Sequence, residues 1–286
     1  METVDREKLI ALVANLCQEA NYGVREDVLE YLEKAFEKEE GVPKRILGLI
    51  LENIKIAKKE KIAVCQDTGM TEVFLQIGKG VHIDGELLEE IISEGVAVGY
   101  EKGYLRKSVV DDPLFSRKNT ENNTPPVVHF LFDDSQDLTG KVKITIFPRG
   151  FGAENMTQIA MLSPSEGEEG VKRFVIEAVK RAGTNPCPPI IVGIGIGGTA
   201  EKCLALSKKA LLRPLNLKST HPQYASMEKE LQEKINDLEI GPQGFGGKNT
   251  CLGVNIEYFP THIAGLPVAV SISCYALRQA SRIFKL

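Results

Sequence analysis

The chain has 286 residues, 43% of them hydrophobic and 26% charged, with a formal net charge of -4. This is globular composition with ample core, and its acidic balance argues against a nucleic-acid surface. The opening "METVDREKLI" lacks a basic segment followed by an apolar run, and the weakly polar stretches near 188–198 and 263–277 fall short of the roughly 20 apolar residues that span a bilayer. A cytoplasmic protein with neither membrane nor nucleic acid as partner is expected.

Residues 1–60 read as helical. "REKLIALVANLCQEA" sets Leu9, Leu12, Val13 and Cys17 near helical spacing, "REDVLEYLEKAFEKEE" repeats the pattern, and "VPKRILGLILENIKIAKKE" is a third helix with Pro43 near its start. From residue 61 the texture changes. "IAVCQDTG" reads as a short strand breaking into a turn, "TEVFLQIG" as a strand, and "DGELLEEIISEGVAVGYEKGY" as a helix with Asp84 as N-cap. "VVHFLFDD" and "KVKITIFP" are rich in β-branched residues and read as strands joined by a hairpin loop, "SQDLTG". The glycines of "PRGFGAENMTQIAMLSPSEG" suggest a loop lying against a ligand or another backbone. A helix closed by Gly183, a strand "PIIVGIGIGG", two further helices and the strands "CLGVNIEYF" and "LPVAVSISC" complete the chain. The expected fold class is α+β: a helical region over 1–60, then a mixed α/β region over 61–286, the two forming one structural unit. Any bound group is expected at strand ends and loops.

Gly193, Gly195 and Gly198 satisfy G-x-G-x-x-G between a strand and a helix. A dinucleotide site also wants an acidic residue about 20 positions on, and "NLKSTHPQY" supplies none. Those glycines suit a tight turn, or a carboxylate at the N-terminus of the helix near Thr199. Among the six cysteines there is no CxxC pair, and a chain of this size needs no disulfide. Cys17, Cys203 and Cys251 fall on helix or strand patterns and read as small core residues. Cys65 opens the polar turn "CQDTG", Cys187 sits among Pro186, Pro188 and Pro189, and Cys274 ends the last apolar strand, ahead of Tyr275 and Arg278. Three thiolates so placed could ligate a metal with one open position, as an iron–sulfur cluster or as zinc. A redox or sensing cluster protein and a nucleotide-binding module remain rival readings.

Taken together, "CQDTG", "NTPPVVHF", "PRGFGAENMTQIAMLSPSEG", "NPCPPIIVGIGIGGTAEKCLALSKKALLRP" and "FPTHIAGLPVAVSISC" resemble the alpha subunit of class I, iron–sulfur fumarate hydratase. They are equally similar to the alpha subunit of L(+)-tartrate dehydratase. The resemblance covers nearly the whole chain. It implies a [4Fe–4S] cluster held by Cys65, Cys187 and Cys274, with the proline frame fixing Cys187 and the glycine strand leaving room for cluster and substrate. It implies further that Gln66 and Asp67 face the substrate and that Arg106 binds its carboxylate. Gly150 and Gly152 would offer backbone N–H groups, and His262 with Asp67 would move a proton to the leaving hydroxyl. His129 is read as structural, and Lys248 in "GPQGFGGKNT" as an anion contact or interface residue. The family's second half, with the catalytic base, is expected on a separate beta subunit, in a hetero-oligomer with alpha–alpha contacts that acts on a small dicarboxylate.

Overall fold

The computed structural model describes residues 6–81 and 85–285. In chain order come helices α1 (Arg6–Asn21), α2 (Glu26–Lys38) and α3 (Gly41–Glu60), strand β1 (Met70–Gly78), helix α4 (Gly85–Lys102), and strands β2 (Val127–Asp133) and β3 (Lys141–Arg149). There follow the single turn α5 (Phe151–Glu154), strand β4 (Gln158–Leu162), helix α6 (Gly167–Ala182), strand β5 (Ile190–Gly197), and helices α7 (Ala200–Leu212) and α8 (Pro222–Asn236). Strands β6 (Cys251–Phe259), β7 (Leu266–Ser273) and β8 (Ala280–Lys285) end the chain. The fold is α+β, as the residue patterns predict. Asp84, the expected cap of α4, lies outside the described residues. Among the described residues no helix is long and apolar enough to cross a membrane.

The chain divides into two compact units. One takes the described residues up to Arg25, then Asn53–Phe151 and those from Arg278 on; the other takes Glu26–Glu52 and Gly152–Leu277. In the first, the strand order is β2-β1-β3-β8, with β1 parallel to β2 and antiparallel to β3. Val73 and Leu75 of β1 and Val142, Ile144 and Ile146 of β3 alternate along their strands, so all five face one side. There they meet Leu9, Val13 and Leu16 of α1 and Ile91, Ile92 and Val96 of α4.

Two expectations fail in this unit. "SQDLTG" is not a hairpin loop, because β1 lies between β2 and β3. Thr71–Leu75 of β1 are buried without a break, whereas Val127, Phe130 and Phe132 of β2 are exposed, as a central and an edge strand should be. Residues 61–69 form bends and irregular backbone rather than a strand. A strand was also missed: β8, with the charge-studded sequence "ASRIFK", closes the sheet beside β3.

In the second unit the order is β4-β7-β5-β6, with β5 parallel to β6 and antiparallel to β7. The expected loop over 148–167 contains β4, a strand paired with β7. Every residue of β5 is buried. Ile190, Val192, Ile194 and Ile196 share one face and pack with Val175 and Val179 of α6 and Leu231 and Ile235 of α8. Gly193 and Gly195 occupy the other face. A Cβ built on Gly193 would overlap the Ser207 carbonyl oxygen, and one on Gly195 that of Cys203, so the backbone of α7 rests directly on the strand. The alternation "GIGIG" thus separates a side-chain face from a helix seat. On that face the glycines seat α7 and leave no room for a bound group between strand and helix.

Gly195→Ala should therefore destabilise the protein by about 3 kcal/mol or more, at the upper end of overpacking costs, since the clash is with backbone. Gly23, with nothing near its would-be Cβ, provides the control Gly23→Ala. Denaturant midpoints that moved equally in the two variants would refute the helix-seat reading.

Candidate functional site

In the first unit the residues before β1 form a hub around Asp67. Its Oδ1 accepts a hydrogen bond from the Gly69 N–H (3.1 Å) and its Oδ2 from the Phe151 N–H (2.7 Å). The carboxylate is half-buried, with Cys65 half-buried and Gln66 exposed beside it. Gly69 has φ +74°, and a Cβ there would overlap the Arg149 carbonyl, so only glycine lets this segment lie against β3. The Thr68 hydroxyl donates to the Arg106 carbonyl (2.8 Å), which ties the exposed Arg106 segment to the hub. Arg106 lies beyond the end of α4 on irregular backbone, not on the helix.

Three residues support the hub, two of them, Tyr100 and Asn123, not singled out in the sequence and Arg278 noted there only as a neighbour of Cys274. The buried Tyr100 hydroxyl lies 2.8 Å from the Thr68 carbonyl and accepts from the Thr71 hydroxyl (3.1 Å). Burial raises the Tyr100 phenol above its ordinary range, so it stays protonated. Asn123 donates to the Gly69 carbonyl (3.1 Å) and accepts from the Ser108 N–H (2.8 Å). Arg278 is 2% exposed and donates from Nη1 to Asn21 Oδ1 (2.9 Å). A Cβ on Gly150 would stand 3.1 Å from Asp67 Oδ2 and 3.4 Å from Arg278 Nη2, so Gly150 keeps the space between carboxylate and guanidinium open. The signal for Arg278 was a lone charge in the apolar stretch after Cys274.

In the second unit Cys187 is exposed, with φ +54°, a conformation uncommon outside glycine. Its N–H donates to the Thr184 carbonyl (3.0 Å). The backbone N–H and side-chain amide of Gln243 both donate to the Pro188 carbonyl (2.8 Å each). The glycine-rich segment 241–250 is therefore a brace for the Cys187 loop, a role the sequence did not reveal; Lys248 on it is exposed. Gly152 approaches the same loop, with its would-be Cβ 3.1 Å from the Asn185 carbonyl. Cys274 directly follows Ser273, which pairs with Ile191, so Cys187 and Cys274 share one end of the sheet.

His262 is at the other end. Its loop connects β6 to β7 and is tied to the end of β5 by the Gly198 N–H to the Pro260 carbonyl (3.2 Å) and by the Thr261 hydroxyl to the Gly198 carbonyl (2.8 Å). The strand between the registers Ile191–Ser273 and Ile196–Val268 spans about 17 Å, and the cysteines and His262 lie beyond it on opposite sides. The exposed His262 ring accepts the Ala264 N–H at Nδ1 (3.1 Å), which leaves the proton of the neutral ring on Nε2. Asp67, its expected partner, belongs to the first unit and His262 to the second. The α7 N-terminus carries its own anion. The Thr199 hydroxyl donates to Glu201 Oε1 (2.7 Å), and that bond, with the Glu201 N–H, lowers the carboxyl's pKa.

The donor chemistry separates the cysteines into two groups. None is in a disulfide. Cys17, Cys203 and Cys251 are buried, and burial raises all three thiols, Cys251 to about 12. Cys65, Cys187 and Cys274 are the three that solvent reaches, which fits the set expected to serve as thiolate ligands. Among the described residues no three His, Cys, Asp or Glu side chains are already gathered as a metal site. His129 is structural as read: its Nε2 meets Glu72 Oε2 at 3.1 Å, and its ring stacks on Phe74.

Comparison with known proteins adds a second line. The family model described as Fumarate hydratase (Fumerase) matches residues 10–283. The chain is 45% identical over 285 residues to "Putative L(+)-tartrate dehydratase subunit alpha" of Methanocaldococcus jannaschii, covering 98% of each. It is 33% identical over 277 residues to the L(+)-tartrate dehydratase subunit alpha of Escherichia coli K12, covering 96% of this chain and 90% of that relative. The subunit of the same name from Shigella boydii gives the same figures.

Alkylation of metal-free protein in native buffer should separate the thiols. Iodoacetamide should label Cys187 first, then Cys65 and Cys274, and reach Cys17, Cys203 and Cys251 only after denaturation, as read by peptide mass spectrometry. Labelling of Cys251 at the rate of Cys187 would abolish the division on which the ligand set rests.

Proposed function

Because this chain belongs to the fumarate hydratase (Fumerase) family, we propose that it is the alpha subunit of a hydro-lyase acting on a small dicarboxylate with a separate beta subunit. The reaction is the reversible hydration of fumarate to L-malate. The observation that carries the reading is a coincidence of two groupings: the three solvent-reachable cysteines are the three that the resemblance marks as ligands, while Cys203, in the same motif as Cys187, is buried. Cys65, Cys187 and Cys274 would hold a [4Fe–4S] cluster. Bound there, the cluster supplies a Lewis acid for the C–O bond of the substrate hydroxyl.

The chain's own residues do the rest. Arg106 offers a guanidinium fork to a substrate carboxylate, and Gln66 an amide beside it. Asp67, fixed by two backbone N–H groups, holds its carboxylate in one orientation against Gly150. His262 would offer its Nε2–H to a departing hydroxyl as a hydrogen-bond donor. The base that removes the proton from the neighbouring carbon comes from the beta subunit. Since His262 stands at the far end of the sheet from Cys187 and Cys274, it serves the thiol-bound site of a second copy of the chain. L(+)-tartrate dehydration to oxaloacetate is the second reading, favoured by the names of the relatives from Methanocaldococcus jannaschii and Escherichia coli. The cytoplasm is the proposed location.

Anaerobically reconstituted protein should carry about four irons per chain. Cys65→Ala, Cys187→Ala and Cys274→Ala should each lose them, while Cys17→Ala and Cys203→Ala keep them. With the beta subunit added, assay on fumarate, malate and L-tartrate decides the substrate; full turnover by the alpha chain alone would place the base within it and sink the two-subunit reading.

Complementation tests His262. His262→Asn and Cys187→Ala complexes should each lose at least about 100-fold in kcat. Mixed during assembly, they should recover about a quarter of wild-type turnover, because in a two-fold dimer half the assemblies are hybrids with one intact site. Recovery no greater than the two parents would show that His262 does not act across copies.

A further inference from the structure

We propose that β2 is a contact surface for a second copy of this chain, the two strands pairing antiparallel about a two-fold axis at Leu131. The inference does not rest on the hydro-lyase reading, and its test reads mass and cross-linking rather than turnover.

β2 ends its sheet and, among the described residues, is paired only with β1. An unpaired edge presents a row of backbone donors and acceptors, which proteins ordinarily guard with charge or cover. The other edge of this sheet is guarded: β8 exposes Arg282 and Lys285. β2 has no lysine or arginine along Val127–Asp133 and exposes Val127 (38%), Phe130 (40%) and Phe132 (85%). The register Leu75–Phe130 and Ile77–Phe132 puts both phenylalanines on one face.

The sequence "VHFLFD" also suits a copy of itself. With Leu131 opposite its own counterpart, Phe130 faces the partner's Phe132 and Phe132 the partner's Phe130. Two aromatic cross-strand pairs then form on the face shared with Leu75 and Ile77, where Phe130 and Phe132 remain exposed. On the opposite face Asp133 stands against the partner's His129, so no like charges meet. Asp133 is already ordered for this, accepting from the Gln76 amide (3.2 Å) and the Ser135 N–H (2.9 Å). Centring the axis on Phe130 instead sets Asp133 against the partner's Val127 and leaves one aromatic pair, Phe130 with its own counterpart, in place of two. The competing edge, β4, exposes Ile159 and Met161 over five residues.

Sedimentation of the full-length chain should show a dimer, and Phe132→Lys should raise its dissociation constant roughly tenfold or more. Leu131→Cys should yield a disulfide-linked dimer on mild oxidation, because directly opposed residues have Cα atoms about 4.5–5.5 Å apart, within disulfide reach. Val127→Cys should cross-link no better than the unchanged chain, whose exposed Cys187 sets the background. If Phe132→Lys fails to fold by circular dichroism, the Leu131→Cys cross-link decides alone. A monomer at all concentrations, equal cross-linking at positions 127 and 131, or dissociation by Met161→Lys but not by Phe132→Lys would overturn the proposal.

Discussion

The seat of the α7 backbone on the glycine face of β5 is the constraint from which the second unit follows. A buried strand normally keeps a helix at side-chain distance. Here Gly193 and Gly195 remove the side chains on one face, while Ile190, Val192, Ile194 and Ile196 on the other fill the space toward α6 and α8. The strand is therefore gripped from both sides and cannot slide by one residue without driving isoleucine into the helix backbone. Its two ends inherit that fixity. The Cys187 loop leads into one end, braced by Gln243, and the His262 loop is pinned to the other at Gly198.

The first unit achieves a comparable fixity through hydrogen bonds. Asp67 lies in irregular backbone, yet both its carboxylate oxygens are held by N–H groups, and the carbonyls of Thr68 and Gly69 meet Tyr100 and Asn123. A buried polar network of this kind specifies one arrangement, because any alternative leaves donors and acceptors without partners. Gly69 and Gly150 supply the two close approaches it needs.

What the sequence disclosed follows physical lines. The long helices were legible because apolar residues recur at helical spacing in α1, α2 and α6. β5 and β7 were legible as apolar runs. β8 was not, because arginine and lysine break its pattern, and β4 was not, because glycine-rich residues precede it. The hairpin error arose because sequence adjacency of β2 and β3 says nothing about β1 entering between them. The cysteines were sorted correctly by burial from their local context alone, polar turn against helix stripe. The separation of His262 from Cys187 and Cys274 was invisible, since it depends on the direction of β7: twelve residues apart in sequence, His262 and Cys274 flank an extended strand rather than a turn. The supporting roles of Arg278, Tyr100 and Asn123 were missed because each acts by a contact made across a long sequence interval.

The layout of β5 and β7 bears on how such a chain can change over time. The thiols of Cys187 and Cys274 sit at one end of a stiff plank and His262, proposed to face the departing hydroxyl, at the other, with the intervening strand packed on both faces. Substitutions around His262 can change how its ring is presented while the thiol end keeps its shape. The reverse holds for changes around Cys187 and its glutamine brace. Evolution is thereby given two independently adjustable ends on one rigid part, an arrangement that lets substrate preference drift without disturbing the residues proposed to hold iron.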